Sequence, residues 1–191
     1  TWREMRKRKP ELALPVHTTD DMHFVQILDP ATGTATFLVE IIDLIYRHML
    51  TKWRDTRLDK DRIDAHWNAY VREHLLPRLH GFELMMAPYA IAHMKIGLKL
   101  AETGYTFPDD GPRVNVFLTN ALQPAHEVQR DLEGMAPMLA HEANAANATK
   151  QGLAATVVIG NPPYSGISGN MFPWIDGLLK GQLPDGTAVQ S

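Results

Sequence analysis

The feature that most constrains the fold is the alternation of short apolar runs with stretches of helical periodicity. Four runs are apolar almost throughout, as strands buried on both faces are, and they lie at residues 24–28, 79–84, 114–118 and 155–159. Between the first two runs, Phe37, Leu38 and Ile41 recur at the spacing of one helix face. Strands that alternate with helices predict an α/β fold, with a parallel doubly wound sheet covered on both faces.

The helical stretches and the N-terminal segment complete the predicted organisation. Apolar periodicity predicts helices over about 37–45 and 88–100, an Ala-rich helix over 137–150, and a charged helical insert over 52–78. Residues 1–22 are polar and carry a basic cluster: Arg3, Arg6, Lys7, Arg8 and Lys9. They are predicted to form a solvated N-terminal arm, with a phosphate-contacting arm as the alternative. Residues 23–191 are predicted to form one domain.

Composition excludes several classes of protein. The chain has 191 residues, 45% of them apolar, which is a globular rather than a disordered balance. With 19 basic and 22 acidic residues the net charge is −3, so the chain lacks the basic excess of proteins that coat nucleic acids. The absence of Cys excludes disulfides and favours an intracellular, cytoplasmic setting. No run is long enough to span a bilayer, and the nine histidines show no metal-binding spacing, so neither a membrane nor a metal partner is expected.

A loop of small residues, 29–36, follows the first predicted strand and leads into the first predicted helix. In a doubly wound sheet, ligands bind at the carboxyl ends of the strands, and a helix N-terminus there offers unpaired N–H groups to an anion. The chain contains neither the dinucleotide fingerprint G-x-G-x-x-G at this turn nor G-x-x-x-x-G-K-[ST] anywhere, which disfavours those NAD and ATP sites. Taken alone, the loop is equally compatible with a plain strand–helix turn.

A second polar motif, Asn161-Pro162-Pro163-Tyr164, follows the fourth predicted strand. The two prolines fix the backbone and remove two N–H donors. The Asn161 side-chain oxygen and a rigid carbonyl can then accept two hydrogen bonds from one amino group, beside the flat ring of Tyr164. This arrangement suits an exocyclic amine on a planar ring, although a simple proline-rich turn is the alternative. Because both motifs follow apolar strands, they are expected at the same edge of the sheet.

Together the two motifs resemble those of S-adenosylmethionine-dependent N6-adenine DNA methyltransferases, whose first motif is D-P-A-C-G-S/T-G-x-F-L and whose catalytic motif is N-P-P-Y. The stretches 27–42 and 157–164 are most similar to the methylase domain of Type ISP restriction–modification enzymes, and the resemblance spans about 25–175. It implies a Rossmann-like methyltransferase core of seven strands in the order 3-2-1-4-5-7-6. Since four strands are predicted, the sheet is expected to be truncated after the fourth, which would present an open edge.

The resemblance implies S-adenosyl-L-methionine as the cofactor and a set of residues that bind it. That set comprises Asp29, Pro30, Ala31, Thr32, Gly33, Thr34, Phe37, Glu83 and Asn120. Glu83, after the second predicted strand, would receive the ribose hydroxyls, and Asn120, after the third, would contact the adenine. Ala35 stands where the family has its second loop glycine. If the backbone there needs a positive φ or a close approach to the cofactor, the methyl group would obstruct it.

The implied catalytic residues are Asn161, Pro162, Pro163 and Tyr164. A target adenine flipped out of duplex DNA would stack on Tyr164, and its amino group would donate hydrogen bonds to the Asn161 side chain and the Pro162 carbonyl. The implied activity is methylation of adenine N6 in DNA, as part of a restriction–modification enzyme. The alternatives are an amino methyltransferase for RNA or protein glutamine, and a non-catalytic fragment of the fold. Target recognition is expected beyond Ser191, so the chain alone is expected to bind DNA weakly and without turnover.

Overall fold

The computed structural model describes residues 1–55, 58–125 and 137–162 together with positions 175, 177, 180 and 181; of residues 137–139 it describes the backbone only. The chain divides into two compact units, Thr1–Asn161 and Pro162–Ser191. In the second unit, the Lys180 N–H donates to the Gly177 carbonyl at 3.0 Å. Within the described part of the chain, no helix is long and apolar enough to cross a membrane.

The first unit is built on a four-stranded, all-parallel sheet in the order β3-β2-β1-β4. Its strands are β1 (Ile27–Asp29), β2 (Leu79–Glu83), β3 (Asn115–Leu118) and β4 (Val157–Val158). Ile27 pairs with Leu79 on one side and with Val157 on the other. The predicted α/β fold with a parallel sheet is therefore confirmed, and the architecture is compatible with a Rossmann-like fold. All four strands are shorter than the apolar runs that predicted them.

The described residues contain these α-helices: α1 (Trp2–Arg8), α2 (Thr36–Asp55), α3 (Lys60–Tyr70), α4 (Met86–Glu102) and α5 (Pro137–Gly152). α3 begins where the Asp59 carboxylate accepts the Arg62 N–H at 2.9 Å, the usual way to satisfy a free donor at a helix start. A π turn, Val71–Leu75, and a 3-10 turn, Leu76–Arg78, then lead directly into β2. The predicted insert thus consists of the end of α2, then α3, and these two turns.

The core lies on both faces of the sheet because neighbouring residues of a strand point in opposite directions. On one face, Ile27, Leu79 and Val116 belong to the main apolar cluster, to which α2, α3 and α4 contribute. On the other face, Phe82 and Phe117 pack with Ala146 of α5. Helices therefore cover the two faces of β2 and β3, as the continuous apolar character of these strands predicted.

The N-terminal segment differs from the predicted solvated arm. Its helix α1 begins with a capping box between Thr1 and Glu4. The Trp2 side chain is buried, with 4% of the residue exposed, and its ring lies 4.8 Å from that of Phe24 in an edge-on contact. The buried Trp2 side chain thus anchors a segment, residues 1–22, in which Thr18 is the one other buried residue.

Candidate functional site

The loop between β1 and α2 folds back over the end of β2. The Thr32 hydroxyl donates to the Asp29 carbonyl at 3.0 Å, and the Thr32 N–H donates to the Phe82 carbonyl at 3.0 Å. The Ala35 N–H then donates to the Thr32 carbonyl at 2.8 Å, closing the turn into α2. Thr32 is therefore the residue that ties the loop to the carboxyl ends of two neighbouring strands.

A glycine in β2 makes room for this loop. A Cβ at Gly81 would lie 2.5 Å from the Thr32 hydroxyl and 3.2 Å from side-chain carbons of Leu38 and Val116. Any side chain at Gly81 would push the loop off the strand. The role of Gly81 was missed by the sequence reasoning, although a glycine inside a strand is itself a sign of close backbone approach.

Two positions of the loop have a positive φ, +54° at Gly33 and +62° at Ala35. Ala35 stands where the methyltransferase family has glycine, and its backbone adopts the left-handed conformation. This conformation costs a residue with a Cβ about 1–2 kcal/mol. Ala35 is fully buried and belongs to the main apolar cluster. Its methyl group packs into the core and does not face a ligand. The cost of alanine at this position is therefore the strain of its backbone conformation.

Glu83 ends β2 and holds the loop through its side chain. One carboxylate oxygen accepts the Gly33 N–H at 2.8 Å, and the other accepts the Met85 N–H at 2.8 Å. The residue is only 9% exposed, unlike a solvated carboxylate at the end of a strand. Because a carboxylate offers about four lone-pair sites, these two bonds leave acceptor capacity for hydroxyl donors of a ligand.

Asp29 ends β1 and is fully buried. Its Oδ1 accepts the Ala31 N–H at 3.1 Å, whereas Oδ2 has no hydrogen-bond partner among the described residues. Burial raises the pKa of Asp29; the bond from Ala31 opposes this, and the nearby charge of Glu83 adds to it. A buried carboxylate oxygen without a partner is costly, so a ligand that donates an N–H or O–H to Oδ2 would be stabilised there.

The structure brings the residues that lead into the second motif to the same edge of the sheet as the first loop. The Ile159 N–H donates to the Leu28 carbonyl at 3.0 Å, extending the pairing of β4 with β1. A Cβ at Gly160 would lie 2.8 Å from Asp29 Oδ1 and 3.3 Å from the Pro30 ring, so the backbone at Gly160 lies against the first loop. Asn161 follows directly and is exposed.

The rest of the second motif is described only in part. Pro162 is exposed and begins the second unit. Pro163 and Tyr164 lie outside the described residues. Their predicted catalytic roles, like that of Asn161, stay predictions.

Asn120 lies in the turn that follows β3, two residues after Leu118, which pairs with Glu83. The Thr119 N–H donates to the Glu83 carbonyl at 2.8 Å, which joins this turn to the end of β2. The Asn120 side-chain oxygen accepts the Leu122 N–H at 3.0 Å and so stabilises the turn. Asn120 is half-buried, and its predicted contact with a cofactor adenine is not tested by these bonds.

The remaining loop residues lie around the start of α2. Phe37 is 37% exposed, which leaves part of its ring open to a ligand. The Lys95 ammonium of α4 lies 3.4 Å from the hydroxyls of Thr34 and Thr36. A positive charge therefore stands at the N-terminus of α2, where the unpaired N–H groups already favour an anion. Lys95 was missed by the sequence reasoning because it is remote in sequence from the loop.

These groups fit the donors and acceptors of S-adenosylmethionine. Asp29 Oδ2 and the Glu83 carboxylate are acceptors, and the start of α2 with Lys95 would attract a carboxylate. Among the described residues, no group of three or more His, Asp or Glu side chains could hold a metal ion.

No protein-family model matches the sequence, and no curated protein matches it either. Solved structures that resemble the chain include the ATP-dependent Type ISP restriction–modification enzyme LlaBIII bound to DNA, at 20% identity and a TM-score of 0.53, covering 100% of this chain and 12% of that one. A nuclease-deletion mutant of the Type ISP restriction–modification enzyme LlaGI, in complex with a DNA substrate mimic, resembles it at 22% identity and a TM-score of 0.48, covering 86% of this chain and 12% of that one.

The cryoEM structure of a DrdV–DNA complex is a further match, at 28% identity and a TM-score of 0.42, covering 75% of this chain and 11% of that one. The likeness to LlaBIII shows a shared fold. The chain spans only about a tenth of the length of these proteins.

Proposed function

We propose that this chain is the cofactor-binding part of an S-adenosylmethionine-dependent methyltransferase that acts on the N6 amine of adenine in DNA, within a restriction–modification enzyme. The observation that carries the proposal is the approach of Gly160, the residue before Asn161, to Asp29 of the first loop at one edge of the sheet. Ligands of doubly wound sheets bind at this edge. The fold shared with a Type ISP restriction–modification enzyme supports the same assignment.

The first loop and its neighbours would hold the cofactor. Asp29 Oδ2 would accept a hydrogen bond from the amino-acid end, and Glu83 would accept hydrogen bonds from the ribose hydroxyls while it keeps Gly33 in place. Asn120 would contact the adenine. Bound S-adenosylmethionine supplies a methyl group on a positively charged sulfur. The protein would orient the bound cofactor, because backbone N–H groups hold the acceptor side chains in place before any ligand binds.

Asn161 would orient the target amine. Asn161 is exposed three residues after the end of β4, so its side-chain oxygen is free of the core and can accept a hydrogen bond from an exocyclic amine. A base inside a duplex cannot reach such a position, and extrusion of the base costs a few kcal/mol. The net charge of −3 gives this chain little electrostatic attraction for DNA, so most of the DNA affinity is assigned to other parts of the natural protein.

The test uses the natural protein that contains these residues, incubated with S-adenosylmethionine and duplex DNA. After digestion to nucleosides, mass spectrometry should detect N6-methyladenine. Asn161→Ala should remove this product while S-adenosylhomocysteine binding, measured by isothermal titration calorimetry, stays unchanged. Asn144→Ala, which changes an exposed asparagine of α5, is the matched control and should keep both properties.

Other products would redirect the assignment. Methylated RNA or methylated protein glutamine, with no methylated DNA, would overturn the DNA substrate but keep a methyltransferase. Failure of the natural protein to bind S-adenosylhomocysteine would overturn the methyltransferase itself and favour a non-catalytic module of the same fold.

A further inference from the structure

A lysine of α5 clasps the turn that follows β3. The Lys150 ammonium donates to the backbone carbonyls of Asn120, at 2.7 Å, and Gln123, at 3.0 Å. Within the turn, the Gln123 N–H donates to the Asn120 carbonyl at 3.2 Å, and the Asn120 side chain accepts the Leu122 N–H at 3.0 Å. Bonds from a charged donor are the stronger kind, so Lys150 adds substantially to the bonds that neutral groups make within the turn.

Packing fixes the place of this lysine. Its ammonium lies 5.8 Å from the centre of the Phe82 ring, and burial lowers the pKa of Lys150. Ala146, one helical turn earlier, is fully buried in the cluster with Phe82 and Phe117. Since Ala146 packs α5 against the sheet, the position of the helix places the Lys150 ammonium at the turn.

The clasped turn is continuous with the candidate cofactor loop. The Thr119 N–H donates to the Glu83 carbonyl at 2.8 Å, and the Glu83 side chain accepts the Gly33 N–H at 2.8 Å. The carboxyl ends of β1, β2 and β3 are thus joined by hydrogen bonds, and Lys150 holds the outermost of the three. A movement of this turn would shift Asn120 relative to Glu83.

We propose that Lys150 is a positioning residue for the cofactor site, which keeps the Asn120 turn in place as the wall of that site at the end of β3. This inference rests on the proposed function, because it takes the three strand ends as the place where S-adenosylmethionine binds. Lys150 acts through the two carbonyls that it clasps and makes no contact with the cofactor.

The test compares three variants of this chain. Lys150→Met keeps the apolar stem and removes the charge, whereas Lys150→Arg keeps the charge and can donate to both carbonyls. Lys52→Met removes an exposed charge from α2 and is the control. Two quantities are measured: the Kd for S-adenosylhomocysteine by calorimetry, and deuterium uptake by the peptide that covers residues 119–125.

Lys150→Met should raise the Kd about tenfold, the equivalent of one charge-assisted bond, and should speed deuterium uptake at residues 119–125. Lys150→Arg should restore both properties, and Lys52→Met should change neither. Unchanged uptake in Lys150→Met would overturn the clasp, and faster uptake with an unchanged Kd would overturn its role in cofactor binding. Failure of the unsubstituted chain to bind S-adenosylhomocysteine, with faster uptake in Lys150→Met, would instead overturn the proposed function and with it the role given to the turn.

Discussion

Glu83→Ala should destabilise the protein by about 2–4 kcal/mol, because each hydrogen bond to a charged group contributes roughly 1.5–3 kcal/mol. The carboxylate accepts two N–H groups at 2.8 Å, from Gly33 and Met85, and the residue is 9% exposed. Met85 is 62% exposed, so water can replace the bond to its N–H, and the cost falls below the sum of two full bonds. Relief of the charge repulsion that raises the pKa of Asp29 offsets a smaller part.

Urea denaturation followed by circular dichroism measures this difference in the free energy of unfolding. Glu83→Gln keeps one acceptor oxygen and should cost about half as much, 1–2 kcal/mol. Glu102→Ala is the control, since Glu102 is 69% exposed and pairs with Lys99 on the surface at 2.8 Å; it should cost less than about 1 kcal/mol. If Glu83→Ala cost no more than Glu102→Ala, the inference that the Glu83 side chain helps to hold the loop against the end of β2 would be refuted.

Three further changes test other parts of the structure. Burial lowers the pKa of His80 from 6.5 to about 4, so the unfolded chain takes up a proton before the folded chain as the pH falls. Between pH 7.5 and 4.5, the free energy of unfolding of the wild type should therefore fall by about 2.5 kcal/mol more than that of His80→Gln. Urea titrations at the two pH values measure this, and equal losses would contradict it. Trp2→Ala should cost about 3 kcal/mol of unfolding free energy, whereas a solvated arm would show almost none. Ala35→Gly relieves a left-handed φ but removes a buried methyl, so it should change stability by less than about 1 kcal/mol, and weaker S-adenosylhomocysteine binding in calorimetry would show that the strain is not the defect inferred.

The elements of the sheet could be predicted from the sequence because parallel strands buried on both faces are apolar at every position. The runs at 79–84 and 114–118 correspond closely to β2 and β3. The first run is displaced, since Phe24 contacts Trp2 and the strand itself starts at Ile27. That displacement depends on α1, which the polar composition of residues 1–22 concealed.

The candidate site could be predicted only at the level of its motifs. The loop at 29–36 and Asn161 were expected at one edge of the sheet, and Gly160 lies against Asp29 there. The bonds that hold the site join residues far apart in sequence: Glu83 and Gly33 are separated by 50 positions. Contacts of this kind depend on the register of β1 against β2, which local periodicity does not determine.

The central claim, that a cofactor binds at the carboxyl ends of β1, β2 and β3, is tested most directly by NMR titration of the ¹⁵N-labelled chain with S-adenosylhomocysteine. Saturable shifts are predicted at the amides of Gly33, Met85 and Thr119, which bond to Glu83. A cavity of about 320 Å³ at the opposite, amino ends of the strands, lined by residues that include His23 and Leu153, serves as the internal reference. Shifts confined to that cavity, or no saturable shift at all, would contradict the claim.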